Sequence, residues 1–436
     1  VATNIVELLD SNGFLLEEYI NPNLMGSINF SKAFAASKTN GYKLCIFYAD
    51  PVSVNQTFSP TLAGQFFSNY DYIIFGDGSQ NPTNPNYPQN ILTIQEILKI
   101  NPNCLIFGYI DLGVTTNNYS FQTIESKIAQ WQTFGARGIF LDDAGYDFQV
   151  SRLRLNTAID LVHLQNMPVC VNAWNADDVF SSAINESFNP QGLKTSISSI
   201  DYYLLESFIY DDNSYKKASG YATDSGFATM SDITYRSSKA LNYKSQIGCK
   251  IFGSSIYTPS LTTSFNQAAI FDTIEAASII LGLDGYSFDQ ISYSANGANA
   301  TQYVQFSYNR NYNDLKNKYG LDSVNNCINT DGYTLRYKES IVYINGNTYY
   351  AVSDRSRLHQ LTTTINLGST AAASLSATIT SPIFSSSKPV VACAVNDSTN
   401  STPAAISVSS SNGSLKVTVN AFNGTVSGNI DINLIC

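Results

Sequence analysis

The chain has 436 residues, of which only 13% are charged, with a net charge of −10 and a pI near 4.7. That length holds a large core plus a smaller module. The acidic balance without Lys/Arg clusters excludes nucleic acid as a partner, because phosphate binding needs clustered cations. No apolar run of about eighteen residues occurs, which excludes a membrane-spanning helix.

In chain order, residues 1 to 40 carry Ile5, Val6, Leu8, Leu9, Phe14, Leu15 and Leu16 around Asn12-Gly13. Too short for a core of its own, this stretch reads as a hairpin or broken helix that acts as a connector to the main domain. The start at Val1 rather than Met reads as a processed chain or a fragment.

From Lys43 a regular rhythm begins. Eight short apolar runs start at Leu44, Tyr72, Leu105, Gly138, Val169, Tyr202, Cys249 and Gly285, and recur at spacings of roughly 27 to 48 residues, the length of strand–helix–strand units. Between them, Ile124, Ile128, Trp131 and Phe134 mark a helix face that Gly135 ends. Leu153, Leu155, Ala158, Ile159 and Val162 mark a second face, and Ala268 to Leu281 is a nearly continuous apolar helix. Eight such units predict a (β/α)8 TIM barrel over residues 41 to 320, with the active site at the carboxyl ends of its strands.

Those ends are expected at Asp50, Asp77, Asp111, Asp142, Asn172, Glu206, Ser254 and Asp289. An Asp after a strand commonly caps a helix or makes a turn. Six carboxylates at eight ends exceed what capping requires, so some should face a ligand.

Only two histidines exist, His163 in a helix and His359 near the C-terminus, neither at a strand end. A Ser-His-Asp triad or a multi-His metal site is therefore not expected, and no cofactor or metal is called for. Carboxylates remain as the acid–base pair, and the expected assignment is Asp142 as nucleophile and Glu206 as acid/base. Asp143 is expected to pair with Arg137 or to cap the next helix.

A pyranose ring stacks its C–H face on aromatic side chains. Tyr48, Tyr109, Tyr146, Trp174, Tyr257 and Tyr286 are the candidates at this end, with Trp131 read as helix-face core. The full set of expected substrate-binding residues is Asp50, Asp77, Tyr109, Asp111, Tyr146, Asn172, Trp174, Tyr257 and Asp289.

Three stretches carry a resemblance to a known family. They are Ala136-Arg137-Gly138-Ile139-Phe140-Leu141-Asp142-Asp143, Leu204-Leu205-Glu206-Ser207-Phe208-Ile209-Tyr210 and Gly108-Tyr109-Ile110-Asp111-Leu112-Gly113. Together they resemble motifs of glycoside hydrolase family 114, the endo-α-1,4-polygalactosaminidases, and of the related spherulation-specific family 4 proteins, over roughly residues 43 to 300. The resemblance implies a TIM barrel with a catalytic aspartate after strand four and glutamate after strand six, here Asp142 and Glu206. The chain departs from the family at Asn172-Ala173-Trp174-Asn175 and in a long unit after strand six.

Past residue 320 the period changes to two, as in Ser340 to Ile344, Leu415 to Val419 and Ile430 to Leu434, with turn signals at Asn345-Gly346, Asn412-Gly413 and Asn423-Gly424. Residues 330 to 436 are read as an all-β C-terminal module for attachment or assembly, with a linker within 369 to 387. Its composition is similar to phage tail-fibre tips and other surface adhesins. Seven cysteines without a CxxC pair read as buried free thiols.

The expected partner is a polysaccharide or cell-surface glycan, at an extracellular or virion surface, on a chain folded in the cytosol and assembled as a homo-oligomer or larger appendage. The alternatives are a non-catalytic adhesin using the same barrel, and a spacer.

Overall fold

A computed structural model describes residues 42–211, 226–258, 264–294, 304, 333–337, 340–345 and 348–352, together with strand backbones at 6–9, 15–19, 360–366, 374–380, 391–396, 404–411, 414–421 and 429–435. Its centre is a (β/α)8 barrel. The strands are β1 (Leu44–Phe47), β2 (Tyr72–Phe75), β3 (Leu105–Asp111), β4 (Gly138–Asp142), β5 (Val169–Asn172), β6 (Tyr202–Leu205), β7 (Lys250–Tyr257) and β8 (Gly285–Gln290). Each pairs in parallel with the next. Helices follow them in order: α1 (Pro60–Phe67), α2 (Tyr87–Ile100), α3 (Phe121–Phe134), α4 (Arg152–His163), α5 (Ala176–Phe180), α6 (Met230–Ile247), α7 (Ser264–Ile280) and α8 (Ile291–Ser294).

The strands read as unbroken apolar runs because both faces are buried. Successive side chains alternate between two layers. One set, including Tyr72, Phe107, Tyr202 and Phe252, fills the barrel interior: rings on non-adjacent strands meet there, Tyr72 with Phe252 at 4.6 Å and Phe107 with Tyr202 at 5.2 Å. The other set, including Ile73, Ile139, Val171 and Leu205, packs against the helices. Cys45, Cys104, Cys170 and Cys249 are buried free thiols.

Ser120 caps α3 by accepting from Thr123 N, and Gly135 ends it at φ 106°, a left-handed position that glycine tolerates without cost. The helix delivers Trp131 onto Gly108 of β3, where a Cβ would overlap the indole ring. The indole Nε1 donates to the Tyr109 carbonyl at 2.9 Å, so the helix fixes the upper end of β3. On α4, Leu155, Ala158, Ile159 and Val162 are buried as expected, but Leu153 is 62% exposed, because its position falls outside the arc that meets the sheet.

Two strand ends differ from the expected ones. β7 runs on to Tyr257, so Ser254 is a buried mid-strand residue and not a tip. Asp289 lies within β8 and not beyond it. The β8–β1 seam is held by a Lys43–Tyr286 bridge and by Tyr286 N donating to Tyr42 O at 2.9 Å. Further up, the Asp289 carboxylate accepts from Ile46 N at 3.3 Å, serving as an acceptor for β1 in this upper part of the seam.

Burial pushes Asp289 up to about 7, against the opposing bonds from Ser287 and Ile46 N. A carboxyl raised in the folded state stabilises fully below its unfolded value near 4 and loses that contribution as pH rises through about 7. Asp289→Asn keeps an acceptor and removes the charge. It should therefore raise the melting temperature at about pH 8 and leave it nearly unchanged at about pH 4 or below; melts that respond equally at both values would show that Asp289 ionises without cost.

At the N-terminal end of the chain, Val6–Leu9 and Leu15–Tyr19 pair antiparallel, the hairpin alternative of the two expected there. Past the barrel every described element is a strand. One sheet holds Thr334–Tyr337, Ser340–Asn345, Thr348–Val352, Gln360–Asn366, Asn429–Ile435 and Val391–Asn396 in that order; another holds Ser374–Thr380, Ser414–Ala421 and Ala404–Ser411. The strands flanking Asn412-Gly413 pair from Ser411 to Ser414. Asn423-Gly424, His359, and the flanks of the expected linker lie outside the described residues, while 374–380 within it is strand. Leu335, Val342 and Ile344 are buried in the same apolar cluster as the barrel's helix-facing layer, and Tyr349 meets Phe227 at 4.7 Å.

Candidate active site

The parallel register brings the tips of β3 to β6 together. Asp111 is opposite Asp142, and Asn172 is opposite Leu204, two residues before Glu206. Asn172 Nδ2 donates to Asp142 Oδ1 at 2.8 Å and to Glu206 Oε2 at 3.3 Å. One nitrogen thus touches both carboxylates, and their nearest oxygens are at most about 6 Å apart.

The backbone at both tips turns sharply. Asp143 and Ser207, each directly after a carboxylate of the pair, have φ of 53° and 44°. Such left-handed positions carry a backbone cost that the surroundings must over-determine. They do: Leu112 N donates to Asp142 O at 2.9 Å and Ala144 N to Asn172 O at 3.0 Å, while Phe208 N donates to Ser254 O at 2.7 Å. Arg236 of α6 donates from Nη2 to the Glu206 carbonyl at 2.9 Å.

Burial, with the charges of Asp143 and Glu206 beside it, pushes Asp142 up to about 8, against the opposing bonds from the Tyr109 hydroxyl and the Asp143 N–H. Burial and the neighbouring Asp111, Glu206 and Asp147 push Asp143 up to about 7. Crowded carboxylates in a poorly solvated place share a proton at neutral pH. Tyr48 and Tyr109 are raised first by burial and then by Asp142, so both stay neutral hydroxyls beneath the pair, their rings 5.2 Å apart edge to face.

The other expected residues fall into two groups. Asp111 accepts from Gly113 N at 2.7 Å, Thr116 Oγ1 at 2.6 Å and Asn117 Nδ2 at 2.6 Å, which folds the loop after β3. Asp50 accepts from the amides of Asn84, Asn86 and Asn90 at 2.8, 2.8 and 3.0 Å. Asp77 pairs with Lys127 at 2.8 Å and accepts from Gln80 at 2.7 Å. These three acids are engaged by the chain's own donors. Trp174 sits under the guanidinium of Arg236, the residue that donates to the Glu206 carbonyl, at 4.2 Å, and Tyr146 stacks on Phe188 at 4.8 Å.

Tyr257 is buried between Phe288 and Phe271, and Tyr286 is buried in the helix-facing layer near Tyr42, so neither ring offers a free face. Arg137 stands at the opposite end of β4 from Asp143 and donates to Pro102 O at 2.6 Å. The residues that sequence reasoning missed are Asp143, signalled only by the Asp-Asp doublet, and Arg236, which has no local signature.

Among the described residues no group of His, Cys, Asp and Glu is spaced to hold a metal ion, and no helix is long and apolar enough to cross a membrane.

No protein-family model matches the sequence, and no curated protein sequence matches it. The motif likeness to glycoside hydrolase family 114 is thus without a family-level match. Solved structures with a similar fold include the glycoside hydrolase domain of PelA from Pseudomonas aeruginosa, at 13% identity and a TM-score of 0.36, covering 61% of this chain and 98% of that one. The cellulose synthase subunit Z from Clostridioides difficile matches at 11% and 0.36, covering 59% and 93%. The carboxyl transferase domain of Rhizobium etli pyruvate carboxylase matches at 10% and 0.36, covering 67% and 47%. The chain spans a quarter of the full-length pyruvate carboxylase structure and under half of its carboxyl transferase domain structure. At these identities the likeness is one of fold.

Proposed function

We propose that the barrel is a glycoside hydrolase that cuts a surface polysaccharide internally, with Asp142 and Glu206 as its paired carboxylates. The observation that carries this is the single Asn172 nitrogen bonded to both groups across the strand tips. An upper bound of about 6 Å falls below the 6.5 to 9.5 Å of inverting enzymes and leaves room for the 5 to 5.5 Å of retaining ones, so the proposal is double displacement with retention. Asp142, raised by burial and by the acids beside it, is the member of the pair that favours the proton. For Asp142 to act as nucleophile, that proton passes to Glu206 when substrate replaces water, and Glu206 then donates it to the leaving oxygen.

An amino sugar fits this site, because an ammonium beside Asp142, Asp143 and Glu206 relieves the repulsion among three crowded acids. Trp174, backed by Arg236, is the proposed stacking platform. The β-rich C-terminal part is proposed to attach the barrel to a tail fibre or other surface appendage.

The test is release of new reducing ends from partly acetylated and unacetylated amino-sugar polymers. Cutting should be strongest on the cationic polymer and should fall as pH rises past about 8, where the pair loses its shared proton. Binding without any new reducing ends would sink the enzyme reading and leave a glycan-binding adhesin.

A further inference from the structure

By sequence, Asn172 belongs among the groups that bind substrate. Its geometry says otherwise. Asn172 is only 7% exposed, and Nδ2 has two hydrogens, directed at Asp142 and at Glu206. Its Oδ1 is buried with no hydrogen-bond partner among the described residues. A residue whose donors are both spent on protein carboxylates has none left for a sugar hydroxyl. A residue needed only for packing would not carry an orphaned buried carbonyl, since an apolar side chain of that size avoids the cost.

We infer that Asn172 is a positioning residue for the carboxylate pair, a neutral clamp that holds Asp142 and Glu206 within reach of one glycosidic bond. This rests on the proposed reading of those two as the catalytic groups. Neutrality is the point of the amide. A Lys or Arg at this position would neutralise the pair and remove its proton at working pH, whereas an acid would force the two groups apart. An amide draws both in, yet leaves them able to share one proton. The groups that face it are Asp142 at the end of β4 and Glu206 just past β6, with Asp143, Tyr109 and Tyr48 acting on it through their influence on Asp142. The adjacent tips then fall into place: the left-handed turns at Asp143 and Ser207 keep both carboxylates at the ends of their strands.

The experiment compares Asn172→Ala and Asn172→Asp in the full chain, with folding checked by thermal melts. In Asn172→Ala, kcat should fall on the order of 100-fold with KM within about threefold, as expected when reacting groups lose their alignment. Asn172→Asp is close to isosteric and separates positioning from mere folding. At pH 7 its added charge should lower kcat below that of Asn172→Ala, and below about pH 5 its activity should recover relative to wild type, as the introduced carboxyl gains a proton it can donate. A rise in KM at constant kcat would make Asn172 a substrate ligand and overturn the inference, as would two variants with the wild-type pH profile. If the wild-type chain cuts no glycan, the function reading fails by itself. The clamp is then read from carbon-13 NMR titration of Asp142 in the unliganded chain, where Asn172→Ala should move that titration upward as the carboxylate loses the amide donor. An unchanged titration would overturn it.

Discussion

Glu206→Gln should lower kcat by about three to five orders of magnitude while leaving the dissociation constant for an amino-sugar oligomer within about fivefold. The amide keeps the shape of the acid and its place beside Asn172, but it cannot transfer a proton to the leaving oxygen. Asp142→Asn should cost as much or more, since it removes the attacking oxygen. The double variant should be hardly slower than either single one, because the two groups act on one bond as a unit. Additive losses would mean that they serve separate steps or separate sites. Equal losses in binding and turnover would instead assign both residues to substrate recognition.

The second large effect lies at Trp131. Its indole is fully buried, rests on Gly108, meets Phe134 at 5.4 Å and donates to the Tyr109 carbonyl. Trp131→Ala should destabilise the barrel by about 3 to 5 kcal/mol, the usual cost of deleting a buried tryptophan. Gly108→Ala attacks the same contact from the other side by overpacking and should cost about 1 to 3 kcal/mol. Denaturant unfolding measures both. Because Tyr109 lies beside Asp142 and influences its ionisation, each should also lower kcat at temperatures where the protein stays folded. A variant that loses stability but keeps full turnover would break the proposed link from α3 through β3 to the pair.

The barrel is legible in the sequence because parallel strands are buried on both faces. Such strands leave short apolar runs whose ends stand out, and Tyr72–Phe75 and Tyr202–Leu205 coincide with the runs read from sequence. β7 outruns its apparent end for a physical reason. Ser254 and Ser255 look like a strand end, yet both are buried inside the strand, where their hydroxyls accept from Ser207 N and Tyr210 N. That overshoot is also why Tyr257 reads as a rim aromatic while it lies in the core.

Acids at strand tips are ambiguous in sequence because one residue type does two jobs. Asp50 and Asp111 are tied by loop donors such as Asn84, Asn86 and Asn117, and Asp77 by Lys127 of α3. Asp142 and Glu206 face each other across Asn172, which only the strand register reveals. Arg236 reaches Glu206 from a helix thirty residues downstream, so no local pattern could announce it.

The configuration of the sugar end formed at the cut tests the account most directly. Proton NMR of the first products from an amino-sugar oligomer should show the anomeric configuration of the substrate linkage retained, with a transient glycosyl adduct on Asp142 when a slow fluorinated substrate is used. An inverted first product, with no adduct at either carboxylate, would contradict a pair held close enough for double displacement.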